Sequence, residues 1–289
     1  MDPKRRIQKR AAHAFHTEPE NVVIVKRLLG GMSHLTYHIS IGGNDYTYRI
    51  IGQGGNRFVD RRIEYENIKR IEPLGLNNET VYFDVETGEK AARYVPGLIL
   101  SEVDVTPYLF RVAQALKKLH ESGIEPVNDY APIERLERYE SYTTERSEQY
   151  RALKKAWIER YRSKHASEPR VFCHNDAQRS NMVVADDRFY LLDWEYAGKN
   201  PIYYDIASFG NVRFDDALAL LDVYLGRPAS EEEKDRVRFY RMFQALQWHQ
   251  VASYKKTIGL SEVVGFNFKD LAASYLELAD RLYRSIEEW

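Results

Sequence analysis

The apolar positions of this chain change their spacing about a third of the way along. Over Val22–Leu29, Leu35–Ile41 and Tyr46–Ile51 they alternate with polar residues or run together, and these runs are separated by Gly30-Gly31 and by Gly42-Gly43-Asn44. A period of two bounded by glycine predicts strands joined by tight turns. Val81–Asp84 and Lys90–Val95, on either side of Glu86-Thr87-Gly88, read as two further strands. Between these groups Arg61–Ile71 carries Ile63, Ile68 and Ile71 amid charges, a helical pattern. Ahead of them all, Ile7, Ala11, Ala14 and Phe15 fall on one face of an amphipathic helix opened by MDPKRRIQKR.

From Pro96-Gly97 onward the spacing predicts long amphipathic helices over Pro107–Glu121, Ile133–Ser163, Asp215–Tyr224, Glu231–Lys256 and Leu271–Glu287. A short hairpin sits in their midst. Met182–Ala185 is apolar and β-prone, Asp186-Asp187 is a turn signal, and Phe189–Leu192 is apolar again. The pattern therefore predicts an α+β protein: a small β-rich N-terminal lobe over residues 1–97 and a larger, mainly helical C-terminal lobe over 98–289. Tyr94–Leu98 would be the hinge.

At 289 residues the chain is long enough for two lobes, each with its own core. With 44% hydrophobic and 29% charged residues it has the composition of a soluble globular protein. No apolar run approaches the ~18 residues of a membrane helix, and no apolar stretch follows the basic start, so neither membrane insertion nor a secretory signal is expected. A net charge of −1 gives no reason to expect nucleic acid as a partner. The basic clusters Lys4–Arg6 and Arg61–Arg62 read as solvated helix faces. A single cysteine, Cys173, excludes an internal disulfide and a multi-cysteine zinc site; it reads as a buried, inert thiol in a cytoplasmic protein. The sequence carries no signal for an oligomeric state.

Candidate chemistry is concentrated in Val171–Gly198, VFCHNDAQRSNMVVADDRFYLLDWEYAG. Asp176 is the candidate base; Asn181 follows five residues on and Asp193 twelve beyond that. The hairpin between them sets an amide oxygen at its entry beside a carboxylate at its exit. Magnesium takes near-octahedral oxygen ligation and keeps waters and substrate phosphates, so one Asn, one Asp and nucleotide oxygens suit it. Singly, each residue is a turn former or a cap. The whole string, HxDxxxxN, then a hairpin, then Asp, points to phosphoryl transfer. In the first lobe, Gly30-Gly31-Met32-Ser33 lies between two strands, where glycine backbone N–H groups approach phosphate without a Cβ in the way and Ser33 adds a hydroxyl. Arg49, on the strand Tyr46–Ile51, offers a planar fork of donors to the α/β-phosphates, and Glu64 on the following helix can hold it in place.

These residues resemble the choline/ethanolamine kinase family, within the wider aminoglycoside-phosphotransferase and protein-kinase-like fold. HNDAQRSN followed by LLDWEYAG carries the likeness, which is nearest to bacterial choline kinases that supply phosphocholine to cell-surface glycans. It extends over nearly the whole chain through GGMSHLTY, VDRRIE, YFDVETGEKAARYVPG, NPIYYDIASF and YRMFQALQWHQVASYKK. The glycine loop departs from the GxGxxG of protein kinases but agrees with the choline-kinase form.

The resemblance implies a bilobal fold and an ATP- and magnesium-dependent kinase, with MgATP between the lobes held by Gly30, Gly31, Ser33, Arg49 and Glu64. Asp176 would orient the substrate hydroxyl and accept its proton, and His174 would brace its loop with support from Asp205. Asn181 and Asp193 would bind magnesium, with Asp193 in the place of the DFG aspartate, here Asp-Trp-Glu. Glu195 and Trp248 would face a small-molecule alcohol, an amino alcohol such as choline, whose quaternary ammonium gains ~0.5–2 kcal/mol per aromatic face.

Two departures bear on that substrate. Val251 stands where the family carries a second tryptophan three residues after Trp248, and Val212, next to Asn211, where it carries a glutamate. Ethanolamine, thiamine, an amino sugar or an aminoglycoside therefore stay open as acceptors, and so does a nucleotide-binding pseudokinase, although the intact Asp176, Asn181 and Asp193 speak against it. A protein-kinase role fits poorly, because Asp205 follows Asp193 too closely for an activation loop. Tyr203, Tyr204, Phe209, Phe214 and Tyr254 read as core packing, and His249 as a helix-surface residue.

Overall fold

The computed structural model describes residues 3–28, 34–143, 147–264 and 266–286. Gly30, Gly31 and Ser33 lie outside the described residues. In chain order the elements are α1 (Pro3–Ala14), β1 (Val23–Leu28), β2 (His34–Ile41), β3 (Asn44–Ile51), α2 (Arg61–Ile71), β4 (Thr80–Phe83), β5 (Lys90–Arg93), β6 (Leu98–Ile99), α3 (Leu109–His120), α4 (Pro132–Glu140), α5 (Glu148–Arg160), β7 (Val171–Cys173), β8 (Met182–Ala185), β9 (Arg188–Leu191), β10 (Gly198–Asn200), α6 (Ile202–Phe209), α7 (Phe214–Leu225), α8 (Glu231–Thr257), α9 (Leu260–Val264) and α10 (Phe268–Ser285). They form two compact units. One comprises Met1–Val103 with Ser180–Tyr196, the other Asp104–Arg179 with Ala197–Trp289. The β8–β9 ribbon therefore packs with the first unit, although the second surrounds it in sequence.

Among the described residues of the first unit, the main sheet is antiparallel with strand order β1-β2-β3-β5-β4. Pairing of Ile41 with Asn44 leaves Gly42-Gly43 as a two-residue loop. Both glycines have positive φ (+57° and +77°), the conformation that a type I′ hairpin requires and that a Cβ disfavours. The inner face of the sheet presents Ile39, Tyr46, Tyr48, Ile50 and Ala91 to Ala11, Ala12 and Ala14 of α1, with Ile7 and Phe15 packed alongside. This is the face of α1 that the apolar spacing marks. In the second sheet of this unit β8 pairs with both β6 and β9, so the hairpin read between Met182 and Leu192 is present.

Among its described residues, the regular structure of the second unit is helical apart from the β7–β10 pair. Its longest helix, α8, starts from a capping box: Ser230 Oγ accepts from Glu233 N and the Glu233 carboxylate from Ser230 N. Trp157 of α5 is fully buried, stacked on Phe239 at 4.7 Å, and donates from Nε1 to Phe239 O at 3.0 Å. Tyr204 and Phe209 are buried, as their core reading anticipates, with the Tyr204 ring near Tyr130, Tyr240 and Phe243. Among the described residues no helix is long and apolar enough to cross a membrane.

Two expectations need correction. The segment Ile133–Ser163 is not one helix. The chain leaves the helix after Glu140 and restarts at Ser147, whose hydroxyl accepts from Tyr150 N at 3.1 Å; beyond Arg160, Tyr161–His165 widens to a π turn. Apolar spacing stays in phase across such a break, so periodicity could not reveal it. His249 is not at the surface either. It is buried, stacked on Tyr150 with centroids 5.3 Å apart, and its Nδ1 lies 2.8 Å from Ala272 O.

Candidate active site

In the first unit the site grows from a strand and a helix. Arg49 on β3 and Glu64 in the first turn of α2 are both buried and join in a two-pronged pair, Nη1–Oε1 2.7 Å and Nη2–Oε2 2.9 Å. Asp60 fixes the start of α2 by accepting from Arg62 N and Ile63 N. Arg49 also donates to Gly88 O at 3.1 Å and to Asp193 Oδ1 at 3.3 Å. Arg61 Nη1 donates to Glu64 Oε2 at 2.6 Å and to Glu195 Oε2 at 2.8 Å. Lys90, directly across the sheet from Arg49, brings its Nζ to 3.4 Å from Glu64 Oε1. Three cations thus meet three carboxylates among the described residues, and His34 Nε2 lies 3.5 Å from Asp193 Oδ2.

The electrostatics follow from this crowding. Burial would raise the Glu64 carboxyl, but Arg49, Lys90 and Arg61 hold it well below the usual range. Burial likewise opposes the Asp193 charge, and His34, Arg49 and Lys90 keep that group depressed nevertheless. Lys90 is lowered, first by burial and then by the Arg49 charge.

Asp193 has φ +66°, a left-handed conformation that Asp and Asn accept better than most residues. Leu192 N donates to Asn181 O at 2.7 Å, continuing the β8–β9 ladder. Asn181 and Asp193 are thereby brought to the same end of the ribbon, and Trp194, fully buried, braces that end through Nε1 to Leu191 O at 2.7 Å.

In the second unit β7 leads into the loop that carries His174 and Asp176. Asp205, buried on α6, accepts from His174 N at 2.8 Å and from Asn175 N at 2.7 Å, and lies 3.1 Å from His120 Nε2. Its carboxylate therefore supports the loop, as the resemblance implies. Asn175 turns the chain at φ +62°, held by Asn200 Nδ2 on its Oδ1 at 2.8 Å and by its own Nδ2 on Gly198 O at 3.1 Å. Asp176 N donates to His174 Nδ1 at 3.2 Å, which makes Nδ1 the unprotonated nitrogen of that ring. Gln178 reaches back to the Asp176 carboxylate. Trp248 sits partly buried on α8. Cys173 is buried with its thiol on Asn200 O at 3.2 Å, and burial pushes it well above the ordinary thiol range.

Arg61 is a correction. It is buried between Glu64 and Glu195, whereas its neighbour Arg62 is exposed and pairs with Glu86 at the surface. Their effects should differ accordingly. Arg61→Ala leaves buried carboxylates short of a counter-charge and is expected to destabilise the protein by about 3 kcal/mol, against no more than ~0.5 kcal/mol for Arg62→Ala. Urea unfolding of both variants measures this, and equal losses would refute the assignment. Lys90, His34, Gln178 and Asn211 also went unread. For Lys90 the available signal was its place in β5 opposite Arg49; for Gln178 it was a side chain two residues from the candidate base.

Residues 24–240 match the model of the phosphotransferase enzyme family, and the chain belongs to that family. It is 26% identical to the protein LicA of Haemophilus influenzae over 275 residues, 89% of this chain and 79% of that protein. The choline kinase LicA of Streptococcus pneumoniae superposes with a TM-score of 0.79 at 23% identity, over 97% of this chain and 98% of that one, and a LicA structure in complex with AMP gives the same score at 22% identity. A choline/ethanolamine kinase family protein from Mesorhizobium loti gives 0.71 at 23%, over 91% of this chain and 88% of its own. The fold, an N-terminal antiparallel sheet followed by a mainly helical part, is the fold of these kinases.

Proposed function

We propose that this enzyme transfers the terminal phosphate of ATP to the hydroxyl of a small alcohol, an amino alcohol such as choline. The observation that carries the reading is the buried Arg49–Glu64 pair beside Asp193, at the ribbon end that also holds Asn181. Residues 1–97 would handle the nucleotide, and residues 98–289 the acceptor and the chemistry. Arg49, held in place by Glu64, binds phosphate oxygens together with Gly30, Gly31 and Ser33. Asp176 orients the acceptor hydroxyl and takes its proton as the oxygen attacks in line, with His174 bracing the loop.

Magnesium fits the donors present. Asp193 is partly exposed and kept ionised, its contacts to Arg49 and His34 are long (3.3 and 3.5 Å), and Asn181 adds an amide oxygen. When bound, the metal would neutralise charge on the transferred phosphoryl group. Since the transition state is loose, placement and charge complementarity carry most of the acceleration.

The likeness to named choline kinases supports choline. A second reading, another small alcohol, draws on two positions: Val212 is 59% exposed, and Val251 is buried, so neither supplies a carboxylate or a ring to a cation. Glu195, read as facing an amine, is already paired with Arg61, which favours the same alternative. Choline, ethanolamine, thiamine and an amino sugar, each offered with MgATP, test both readings by ATP consumption and by mass of the product. Turnover of one acceptor is expected. Nucleotide binding with no transfer to any of them, nor to an aminoglycoside, would favour the pseudokinase reading.

A further inference from the structure

Gln178 straddles the carboxylate of Asp176: its Nε2 lies 3.1 Å from Oδ1 and 3.0 Å from Oδ2. The other end of that amide is also engaged, because Asn211 Nδ2 donates to Gln178 Oε1 at 2.7 Å. Asn211 follows α6, and its backbone oxygen accepts from the buried Arg241 of α8 at 3.4 Å. Arg241 is tied to Gln244 at 3.1 Å, and Gln244 to Tyr204 O and Ser208 Oγ at 2.9 and 2.8 Å. A line of polar contacts thus runs from the core of the second unit to Asp176. All of these residues belong to that unit.

A carboxamide is nearly symmetric in shape but not in sense. Turned by half a rotation, Gln178 would set an oxygen against the carboxylate instead of an N–H donor. The acceptor-only Asp176 carboxylate and the Asn211 donor on Oε1 require the same, attractive sense, so Asn211 reinforces it from the far side of the amide. An ionised carboxylate has about four lone-pair directions, so one straddling donor leaves others for a substrate hydroxyl. The neighbouring Val212 points to solvent, so the inward position after α6 is Asn211.

We propose that Asn211 and Gln178 form a positioning relay for the base: Asn211 reinforces the sense of the Gln178 amide, and Gln178 holds the Asp176 carboxylate in one orientation. The relay rests on Asp176 being the base. Neither residue touches the reacting atoms, so their removal acts on kcat and spares KM.

Steady-state kinetics of Gln178→Ala, Asn211→Asp and the double variant, with choline and MgATP as the probes, test this. Gln178→Ala should lower kcat by about 10- to 100-fold, the scale of a misplaced catalytic group, with KM for acceptor and MgATP within about twofold. Asn211→Asp should approach the same loss although Gln178 is retained, because a carboxylate at 211 attracts the amide N–H and turns it away from Asp176. It also places a negative charge near Arg241, so the fold should survive, which a thermal melt checks. The double variant should be no worse than Gln178→Ala, since both remove one interaction. Additive losses, a change borne by KM, or a fully active Gln178→Ala would overturn the relay. Asp176→Asn separates the two levels: inactive beside a fully active Gln178→Ala, it sinks the relay and keeps the base, whereas an active Asp176→Asn sinks the base itself.

Discussion

Asp176→Ala is expected to lower kcat by ~10²–10⁴-fold, the range for loss of a general base, without loss of the folded state. The loop should persist because its shape is held elsewhere. Asp205 takes the N–H groups of His174 and Asn175, and Asn200 takes the Asn175 side chain. The variant should therefore bind MgATP as the parent does and melt near the same temperature while failing to consume ATP in the presence of acceptor. Calorimetry and circular dichroism check the first two points, and a coupled ADP assay the third. Near-normal turnover would remove Asp176 from the reaction and return the search for a base to the acceptor itself.

The second large effect concerns Asp193. Among the described residues of the charged cluster, its carboxylate is the one carboxylate that is both depressed and partly exposed. Asp193→Asn should weaken MgATP binding by about 10- to 100-fold, ~1.4–2.8 kcal/mol, while binding of metal-free ATP changes little. Asn is the informative replacement because it tolerates the left-handed backbone at φ +66°; Ala would mix strain with loss of charge. A depressed carboxyl is ionised at every pH above the ordinary Asp range of about 4. The affinity of the parent should therefore show no step from this group between about pH 5 and 9 and should weaken only as acid reaches its lowered value. Unchanged MgATP affinity of Asp193→Asn by calorimetry would refute the metal role.

How far these features were legible in the sequence depends on how local their causes are. The β8–β9 ribbon was readable because its two apolar runs and the Asp186-Asp187 turn lie within a dozen residues, and the ladder then forces Asn181 and Asp193 to one end. The face of α1 was readable because Ile7, Ala11, Ala14 and Phe15 keep the helical period, and those residues do meet the sheet. Arg61 was not. Next to Arg62 at a helix start it looks like a solvated charge, and its partner Glu195 lies 134 positions away. Lys90 was hidden in the same way, since its surroundings are made by a neighbouring strand. The end of α4 at Glu140 was invisible because periodicity reports faces, not continuity. The resemblance to a kinase family supplied roles that spacing could not, and it gave none to Gln178 or Asn211, because their contact is made only when the turn after α6 meets the loop.

The division of the chain at 179–180 and 196–197 has a consequence for synthesis. A nascent polypeptide, emerging at about 5–20 residues per second, can lay down β1–β5 early. It then carries Arg49, Arg61 and Lys90 with Glu64 among their carboxylate partners, and the other two, Asp193 and Glu195, do not yet exist. The strand that flanks β6 is missing as well. Until Asp193 and Glu195 have left the ribosome, the sheet holds surplus positive charge in a half-built interior. A prematurely terminated product would accordingly be a poor folder and a natural client for chaperones, not a miniature nucleotide binder.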